Sequence, residues 1–331
     1  MNSSDILFFS SRDIRAILTL NECIVAVEHA FRVHGEGTTI PPSVLGLHVP
    51  DGGFHIKAGM LSLSRNYFAA KVNANFPGNP ERFALPTIQG IIVLFEADNG
   101  LPLALMDSRE ITTLRTAAAT AVAAKYLARA DSRIVTVCGC GTQGRMQLAA
   151  IARIFPLEAV FAYDKSTQQS SAFVRELEAE LNIPITVADD LAECVRRSDI
   201  CITCTSSREA FVGEDDVHQG IFLAAVGADS PHKQEIRTTL MARSKIVCDV
   251  IEQCATMGDL HHALNDHVIG IESVHAELGE IVAGRKRGRE SAEEIIVFDS
   301  TGMALQDVAA AAVVYEKAIH ENAGTLLRLA T

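Results

Sequence analysis

A strand that runs directly into a glycine-rich turn and then a helix constrains this chain more than any other feature. The residues of Ile134–Cys138 are mostly β-branched, and Gly139, Gly141 and Gly144 follow them in the spacing G-x-G-x-x-G. In this context the pattern indicates a dinucleotide-binding turn. The first glycine permits the tight turn, the second lets the backbone approach a pyrophosphate, and the third lets the helix pack on the strand. The alternative is a glycine turn in a domain that binds no nucleotide.

A carboxylate follows the second predicted strand of the same region. Asp164 lies twenty residues after Gly144, at the end of Ala159–Tyr163. A carboxylate at this position can hydrogen-bond the ribose hydroxyls of NAD and would repel the 2′-phosphate of NADP. Lys165 could weaken that repulsion, so the sequence predicts NAD and leaves NADP as the alternative.

Apolar runs and amphipathic segments alternate between about residues 133 and 300, which predicts βαβ units around a parallel sheet. The predicted strands are 134–138, 159–163, 185–188, 200–205, 222–226, 246–250 and 295–298. The predicted helices are 144–154, 170–181, 233–242 and 252–263. The expected fold class is therefore α/β, with a Rossmann-type doubly wound dinucleotide domain.

The two ends of the chain have a different pattern, which is typical of a smaller α+β domain. A predicted helix at 20–34 precedes extended segments at 54–57, 68–74 and 88–95. Alanine-rich helices are predicted at 115–129 and 303–320. We expect the last helix to fold back onto the N-terminal region. Residues 1–114 and 303–331 would then form the substrate domain, and residues 115–302 the dinucleotide domain.

Charge and composition narrow the partners. The chain has 331 residues with 29 basic and 41 acidic side chains, a formal net charge of −12. Nucleic acids and anionic membrane surfaces require clustered positive charge, so we expect neither as a partner. The N-terminus has no signal-peptide pattern, and no uncharged apolar run reaches about 18 residues. These features predict a cytoplasmic protein.

Two patterns that resemble metal sites are interpreted differently. Cys201 and Cys204 have C-x-x-C spacing, but side chains three apart on a strand point to opposite faces. His261 and His262 follow Asp259, yet the sequence suggests no further zinc ligands near them. We therefore expect free thiols and no metal.

Five sequence blocks carry a resemblance over nearly the whole chain. They are 71–79 (KVNANFPGN), 85–90 (LPTIQG), 107–108 with 112–118 (DS and TTLRTAA), 226–235 (VGADSPHKQE) and 298–302 (FDSTG). Together they resemble the ornithine cyclodeaminase/mu-crystallin family. The resemblance implies an NAD(P)-dependent homodimer that reduces an α-imino acid of the ketimine, pyrroline-2-carboxylate or iminosuccinate type, or runs the reverse reaction. Its alternatives are an ornithine or lysine cyclodeaminase, which makes L-proline and ammonia from L-ornithine with catalytic NAD, and a binding module that retains the cofactor.

The resemblance also implies roles for individual side chains. Asp229 would donate and accept the proton, and Lys71 would hold the substrate carboxylate or α-nitrogen, so these are the expected catalytic residues. The expected substrate-binding residues are Lys57, Lys71, Arg115 and Thr301. The expected cofactor-binding residues are Thr87, Arg115, Gly139, Gly141, Thr142, Gln143, Gly144, Asp164, Thr205, Val226, Gly227, Lys233 and Ser300.

Three of these side chains have alternative structural interpretations. Asp229 follows a predicted strand at its carboxyl end, where open α/β sheets bind ligands, but Asp is also common as a helix N-cap. Lys71 could instead be a lysine on an edge strand that keeps its ammonium in water. Arg115 could instead form a salt bridge at the start of a helix.

One departure from the family pattern concerns the substrate carboxylate. Many members have an arginine after the proline pair, where this chain has Ser43, and this puts ornithine cyclodeamination in doubt. Lys57 is a candidate replacement cation. On a strand it would share a face with His55, and both could point into the site. The alternative is that Phe54 and Ile56 are buried and the polar face is exposed.

Overall fold

The computed structural model of the protein describes residues 5–40 and 42–329, and the chain divides into two compact units. The terminal unit comprises Met1–Arg115 and Met303–Thr331, and the central unit comprises Thr116–Gly302. Within the described residues the strands are β1 (Asp5–Phe9), β2 (Ser43–Val49), β3 (Gly52–Ser62), β4 (Asn66–Asn75), β5 (Ile88–Glu96), β6 (Pro102–Asp107), β7 (Ile134–Cys138), β8 (Ala159–Tyr163), β9 (Ile185–Val187), β10 (Ile200–Thr203), β11 (Phe222–Ala225), β12 (Lys245–Cys248), β13 (Val274–Glu277), β14 (Ile296–Asp299) and β15 (Thr325–Arg328). The α-helices are α1 (Ser11–Ile17), α2 (Leu20–Gly35), α3 (Asn79–Phe83), α4 (Ser108–Leu127), α5 (Thr142–Ile151), α6 (Thr167–Leu181), α7 (Leu191–Arg196), α8 (Thr238–Ala242), α9 (Ile251–Met257), α10 (Asp259–Asn265), α11 (Leu278–Val282) and α12 (Ala304–Glu321), with a 3₁₀ turn at Ile271–Ser273.

The terminal unit is built on a seven-stranded sheet with the order β15-β1-β6-β5-β4-β3-β2. Helix α12 packs against β3, β4 and α2 on one face of this sheet. Along β4 the side chains of Tyr67, Ala69 and Lys71 are buried, and the alternate side chains of Phe68 and Val72 are only half-buried. The sheet therefore has a covered inner face and an open outer face.

Helix α12 supplies the core of the terminal unit. Residues 304–312 are all buried, although Gln306 and Asp307 among them are polar. A helix that is buried on every side at its start belongs to a core rather than to a surface. The helix ends at Glu321, and the capping residue Asn322 has a φ of 54°, the left-handed conformation common at helix C-termini.

The central unit is built on an eight-stranded parallel sheet with the order β13-β12-β14-β11-β10-β7-β8-β9. Most of its strand residues are buried, as expected for a parallel sheet with both faces covered. The chain moves outward in one direction from β7 to β9 and in the other direction from β10. The resulting topological switch point lies between β7 and β10, where such sheets bind ligands. The predicted α/β fold with a Rossmann-type domain is confirmed.

Two predicted helices of the central unit are wrong. Residues 233–237 are not helical, because the Asp259 carboxylate accepts the backbone N–H groups of Glu235 and Ile236, and only α8 forms at the end of the predicted span. The predicted helix 252–263 is two helices, α9 and α10, which are separated at Gly258. Gly258 packs against the Asp299 carboxylate, and a helical periodicity cannot reveal such a contact.

One helix boundary also differs from its prediction. Helix α4 begins at Ser108 rather than at residue 115, so that Thr112 and Arg115 lie on the same helix. No helix in the described part of the chain is long and apolar enough to cross a membrane.

Candidate active site

The glycine-rich turn has the shape that a dinucleotide pyrophosphate requires. Gly139 has a φ of +98°, and a side chain there would also meet the Cys204 carbonyl oxygen at 2.8 Å. A Cβ on Gly144 would collide with the Gly139 carbonyl oxygen. A Cβ on Gly141 would meet no atom within 4 Å, so the turn is open on that side. Helix α5 then begins at Thr142 with no side-chain cap, which leaves its first N–H groups available to an anion.

Asp164 is held beside this turn. Its Oδ2 accepts the backbone N–H of Cys140 at 2.9 Å, and its Oδ1 accepts that of Ser166 at 2.9 Å. Tyr163 and Gly139 are joined by a backbone hydrogen bond of 2.8 Å, which fixes the end of β8 against the turn. The predicted carboxylate and glycine residues are therefore brought together, and they fit the pyrophosphate and ribose of NAD.

A buried glutamate, Glu235, organises the neighbouring strand ends. Its Oε1 accepts the backbone N–H of Thr205 at 2.6 Å and the Thr205 hydroxyl at 2.7 Å. Its Oε2 accepts the Thr203 hydroxyl at 2.7 Å and the Gly227 N–H at 2.8 Å. Burial raises the pKa of Glu235, and these four donors act in the opposite direction. Two predicted cofactor-binding residues, Thr205 and Gly227, are thus tied to one carboxylate.

A second buried carboxylate, Asp249, holds the segment after β14. Its Oδ2 accepts the Gly302 N–H at 2.5 Å and the Ser300 hydroxyl at 3.2 Å. Its Oδ1 accepts the Thr301 hydroxyl at 3.2 Å. Ser300 and Thr301 are themselves buried, so Asp249 fixes their side chains at the carboxyl edge of the sheet.

Two further buried acids, Asp259 and Asp299, connect this network. Asp259 accepts the Glu235 N–H at 2.8 Å, and Asp299 accepts the Leu260 N–H at 2.8 Å. Burial and the charge of Glu235 raise the pKa of Asp259 to about 7. Burial and the nearby Asp259 carboxyl raise the pKa of Asp299 well above its ordinary range. The two acids are therefore protonated more readily than surface carboxyls.

Asp229 lies on an exposed turn after β11. Its side chain is 48% exposed and accepts a hydrogen bond of 2.6 Å from the Lys233 ammonium. The N-cap interpretation is wrong, because the next helix begins only at Thr238. Val226 donates its N–H to the Thr203 carbonyl oxygen at 2.8 Å, which holds the start of this turn.

A cluster of buried charges lies on the inner face of the terminal sheet. The Lys71 Nζ is 2.8 Å from Asp307 Oδ1 and 2.7 Å from Oδ2. The Arg115 Nε donates to Asp307 Oδ1 at 3.1 Å, and its Nη1 donates to Gln306 Oε1 at 2.9 Å. Lys71 is only 3% exposed on an interior strand, so the interpretation as an edge-strand lysine is wrong. Arg115 does form an ion pair, but it lies two turns into α4 rather than at its start.

Electrostatics within this charge cluster favour proton exchange at Lys71. Burial, together with the Arg115 and Lys57 charges, lowers the pKa of Lys71 to about 7, although Asp307 opposes the shift. Burial by itself raises the pKa of Asp307, but the Lys71 and Arg115 cations outweigh it and the net pKa is lowered. The cluster therefore holds an ionised Asp307 and an ammonium that can release its proton near neutral pH.

Lys57 belongs to the same inner face. It lies directly across from Lys71 in the β3–β4 register and is buried, whereas Phe54 is 37% exposed. The exposed-polar-face interpretation is therefore wrong. Ser43 pairs with Ala58, the neighbour of Lys57, so the register assigns it to the opposite face of the sheet. Lys57 thus adds a cation to the inner face that Ser43 does not supply.

The remaining predicted residues lie in their expected segments. Thr87 is half-buried directly before β5 in the terminal unit, and its carbonyl oxygen accepts the Phe76 N–H at 2.8 Å. Gln143 is half-buried in the first turn of α5, and Thr142 beside it is exposed. All eight cysteines are free thiols, and no cluster of metal-ligating side chains occurs among the described residues.

Sequence reasoning missed six polar residues of these clusters. The missed residues are Glu235, Asp249, Asp259, Asp299, Gln306 and Asp307. A usable signal existed for Asp307, since a lone carboxylate in the apolar start of a helix must have a buried cation as its partner. Glu235 also closes one of the five blocks, but its partners Thr203 and Thr205 lie 32 and 30 residues away, and no spacing rule connects them to it.

Comparison with known proteins agrees with this geometry. The sequence model of the ornithine cyclodeaminase/mu-crystallin family matches residues 5–322. An alanine dehydrogenase from Archaeoglobus fulgidus is 39% identical over 322 residues, which cover 97% of this chain and 98% of that protein. The structure of an archaeal alanine dehydrogenase dimer with bound NAD matches with a TM-score of 0.94 at 38% identity, covering 98% of this chain and 100% of that one.

A second solved structure extends the similarity to another enzyme of the family. The Thermococcus litoralis Δ1-pyrroline-2-carboxylate reductase, in complex with NADH and L-proline, matches with a TM-score of 0.90 at 33% identity. The match covers 97% of this chain and 99% of that one. The chain therefore belongs to the ornithine cyclodeaminase/mu-crystallin family.

Proposed function

We propose that the protein is an NAD-dependent oxidoreductase that reduces an α-imino acid to the L-amino acid, or runs the reverse reaction. The observation that carries the proposal is the buried cluster of Lys71, Arg115 and Lys57 around Asp307. Lys71 and Arg115 share one acid, Asp307, and a substrate carboxylate is an anion that would balance the second cation. The relatives named above act on small amino or imino acids and support the same substrate class.

The central unit is the NAD-binding domain in this proposal. The turn with Gly139, Gly141 and Gly144, together with Thr142 and Gln143, holds the pyrophosphate, and Asp164 holds the adenosine ribose. Thr205, Val226, Gly227, Lys233 and Ser300 bind the nicotinamide half, and Thr87 and Arg115 are further cofactor-binding residues. NAD is preferred over NADP because Asp164 repels a 2′-phosphate.

The terminal unit supplies the substrate carboxylate site. Lys71 and Arg115 bind the carboxylate, Lys57 adds a cation on the same inner face, and Thr301 is a further substrate-binding residue. Asp307 holds Lys71 and Arg115 in a fixed orientation, since its two oxygens contact both side chains. Holding the substrate in one orientation is itself a large part of catalysis.

Reduction of the C=N bond adds a hydride to Cα and a proton to nitrogen. The bound cofactor supplies the hydride. Asp229 gives the proton to the nitrogen in this direction and takes it back in the reverse direction. Lys71, whose pKa of about 7 suits proton exchange, holds the substrate nitrogen or carboxylate.

An assay panel tests this proposal. The purified protein receives pyrroline-2-carboxylate, oxaloacetate plus ammonium as a source of iminosuccinate, or pyruvate plus ammonium, each with NADH or NADPH. We expect stoichiometric loss of NADH with at least one of these imines, and slower loss of NADPH. Ammonia release from L-ornithine with catalytic NAD, and no net change in NADH, would instead identify a cyclodeaminase. Tight NADH binding without turnover of any compound would identify a binding module.

Substitution of Asp229 tests the proton assignment. Asp229→Asn keeps the shape but cannot exchange a proton, so we expect kcat to fall by roughly 10²–10⁴-fold. NADH affinity, measured by nucleotide fluorescence, should change less than threefold. An Asp229→Asn enzyme that retains nearly the full kcat would remove this residue from the chemistry.

We further propose that the protein is a cytoplasmic homodimer that pairs through the outer face of the terminal sheet. Leu45, Leu47, Phe54 and Ile91 on that face are 37–53% exposed. An exposed apolar sheet face of this kind marks an interaction surface. The relative described as a dimer with bound NAD supports a second copy as the occupant.

A further inference from the structure

The nicotinamide half of the proposed cofactor site depends on two backbone N–H groups that donate to one buried side chain. The Thr205 N–H belongs to the loop after β10, and the Gly227 N–H begins the loop after β11, which also contains Glu235. Both point to the Glu235 carboxylate, at 2.6 Å and 2.8 Å. A buried N–H without an acceptor destabilises the folded state, so the positions of both loops depend on this carboxylate.

All the hydrogen-bonding capacity of the Glu235 carboxylate is used by these two loops and the end of β10. It is fully buried, and its two oxygens accept four hydrogen bonds, which uses the acceptor capacity of a carboxylate. Gly227 leaves the space that the carboxylate occupies, because a Cβ there would overlap the Glu235 side chain and the Thr205 carbonyl oxygen. Replacing Gly227 would therefore push the carboxylate away from both loops.

The backbone of Glu235 is itself held by hydrogen bonds to other segments. Asp259 accepts the backbone N–H of Glu235 at 2.8 Å and that of Ile236 at 2.9 Å. Phe211 and Val212 donate their N–H groups to the Glu235 carbonyl oxygen. Hydrogen bonds to its backbone N–H and carbonyl groups therefore fix the position of Glu235. Its carboxylate can then hold the two loops in one geometry.

We propose that Glu235 is a positioning residue, which acts through Thr205 and Gly227 to hold the two loops in the geometry that receives the nicotinamide half of the cofactor. The inference rests on the proposed placement of that half at this edge of the sheet. The adenosine half is held by the glycine turn and Asp164, which do not bond to the Glu235 carboxylate.

The substitution Glu235→Gln separates a positioning role from a packing role. The amide of glutamine has nearly the same size as the carboxylate but only one oxygen. The Thr205 N–H and the Gly227 N–H donate to different oxygens of the Glu235 carboxylate. The threonine hydroxyls can rotate and accept a hydrogen bond from the amide nitrogen, whereas an N–H group cannot. One of the two N–H groups therefore loses its acceptor in Glu235→Gln, whichever way the amide turns.

The test compares the dissociation constants of NADH and ADP-ribose, the second of which lacks the nicotinamide. We expect Glu235→Gln to weaken NADH binding by about tenfold or more and to change ADP-ribose binding less than twofold. Thr203→Val removes one donor from the same carboxylate, and we expect a smaller loss in the same direction. It also serves as the test if the glutamine variant does not fold.

The matched control is Asp199→Asn. Asp199 accepts the backbone N–H groups of Arg133 and Ile134 at 2.7 Å and 3.0 Å, at the opposite edge of the same sheet. The Asp199→Asn variant should have a lower thermal stability and an unchanged ratio of the NADH and ADP-ribose dissociation constants. An unchanged ratio in both Glu235→Gln and Thr203→Val would overturn the inference. A wild-type protein that binds neither ligand would overturn the proposed function instead.

Discussion

At the scale of single residues, the most informative side chain is Lys71. A fully buried ammonium is stabilised only by paired charges, and Asp307 supplies that pairing. The same burial brings its pKa to about 7, so a residue that orients the substrate is also able to exchange a proton under physiological conditions. One substitution should therefore affect both substrate binding and the pH dependence of the reaction.

Lys71→Met should lower kcat/KM for the best imine substrate by at least about 10²-fold, because the carboxylate loses a desolvated cation. NADH affinity should change less than twofold. In the wild-type enzyme, the pH profile of kcat/KM should contain a limb near pH 7, where Lys71 titrates, and the Met variant should lack it. The control is Lys317→Met, which removes a lysine bonded to Glu22 and Ile17 in the same unit. A retained limb in Lys71→Met would assign that pKa to another group.

At the scale of secondary-structure elements, the sequence predicts an element correctly where the local pattern and the tertiary contacts favour the same structure. The strands β7 and β8 match their predicted bounds, because buried parallel strands are continuous apolar runs with clear ends. The helices around Glu235 and Gly258 were predicted wrongly for the opposite reason. There, the Asp259 and Asp299 carboxylates bind backbone N–H groups from distant segments, and these contacts override helical periodicity.

The same limit applies to the candidate site. The glycine turn and Asp164 form one local motif and could be predicted from spacing alone. The charge cluster could be predicted only in part, since Lys71 and Arg115 came from the family resemblance and Asp307 lies 236 residues after Lys71. Separations of this length leave no periodic trace in a sequence.

Gly258→Ala tests the break between α9 and α10. A Cβ at this position would lie 2.7 Å from Asp299 Oδ1, so the buried carboxyl must move. We expect the free energy of unfolding to fall by about 1–3 kcal/mol, as for other overpacked sites. Gly46→Ala is the control, because its Cβ would meet no atom within 4 Å, and it should change the free energy by less than about 0.5 kcal/mol. Equal decreases in the free energy of unfolding of both variants, measured by urea denaturation, would contradict this explanation of the break between α9 and α10.

At the scale of the whole molecule, the buried acids of the central unit should make stability depend on pH. Asp259 has a pKa of about 7 in the folded protein, against an ordinary value of 3.8. Between these values the folded state binds a proton that the unfolded state does not bind, so stability decreases as pH rises through this range and levels off above about pH 7. The Glu235 charge adds to the burial in disfavouring the ionised form of Asp259.

Asp259→Asn should therefore flatten the decrease in stability between about pH 4 and pH 7. The slope removed corresponds to a total on the order of 4 kcal/mol in the free energy of unfolding across this range. The measurement is urea denaturation at a series of pH values, with Asp199→Asn as the control for loss of a carboxylate at the opposite edge of the sheet. A variant with the wild-type slope would show that Asp259 does not hold the proton.

Assembly provides a second prediction at this scale. Ile91→Lys places a charge on the outer face of the terminal sheet, where Ile91 is 45% exposed. We expect it to shift the proposed dimer to monomers in sedimentation velocity experiments, because a two-fold interface would bury the new charge in both copies. Val25→Lys on α2, at a position 69% exposed, is the control and should leave the oligomeric state unchanged. A variant Ile91→Lys that sediments like the wild type would exclude this face as the interface.

The composition of the terminal unit from both chain ends also has a consequence for biosynthesis. The inner face of its sheet is covered by α12, and the edge strand β15 pairs with β1 at the other end of the chain. Neither partner has left the ribosome when β1 to β6 have been synthesised. The central unit, whose strands and helices are consecutive in the chain, can fold during translation. The apolar face of strands β1 to β6 therefore stays exposed until α12 has been synthesised. We expect the nascent chain to depend most on chaperones in this N-terminal segment.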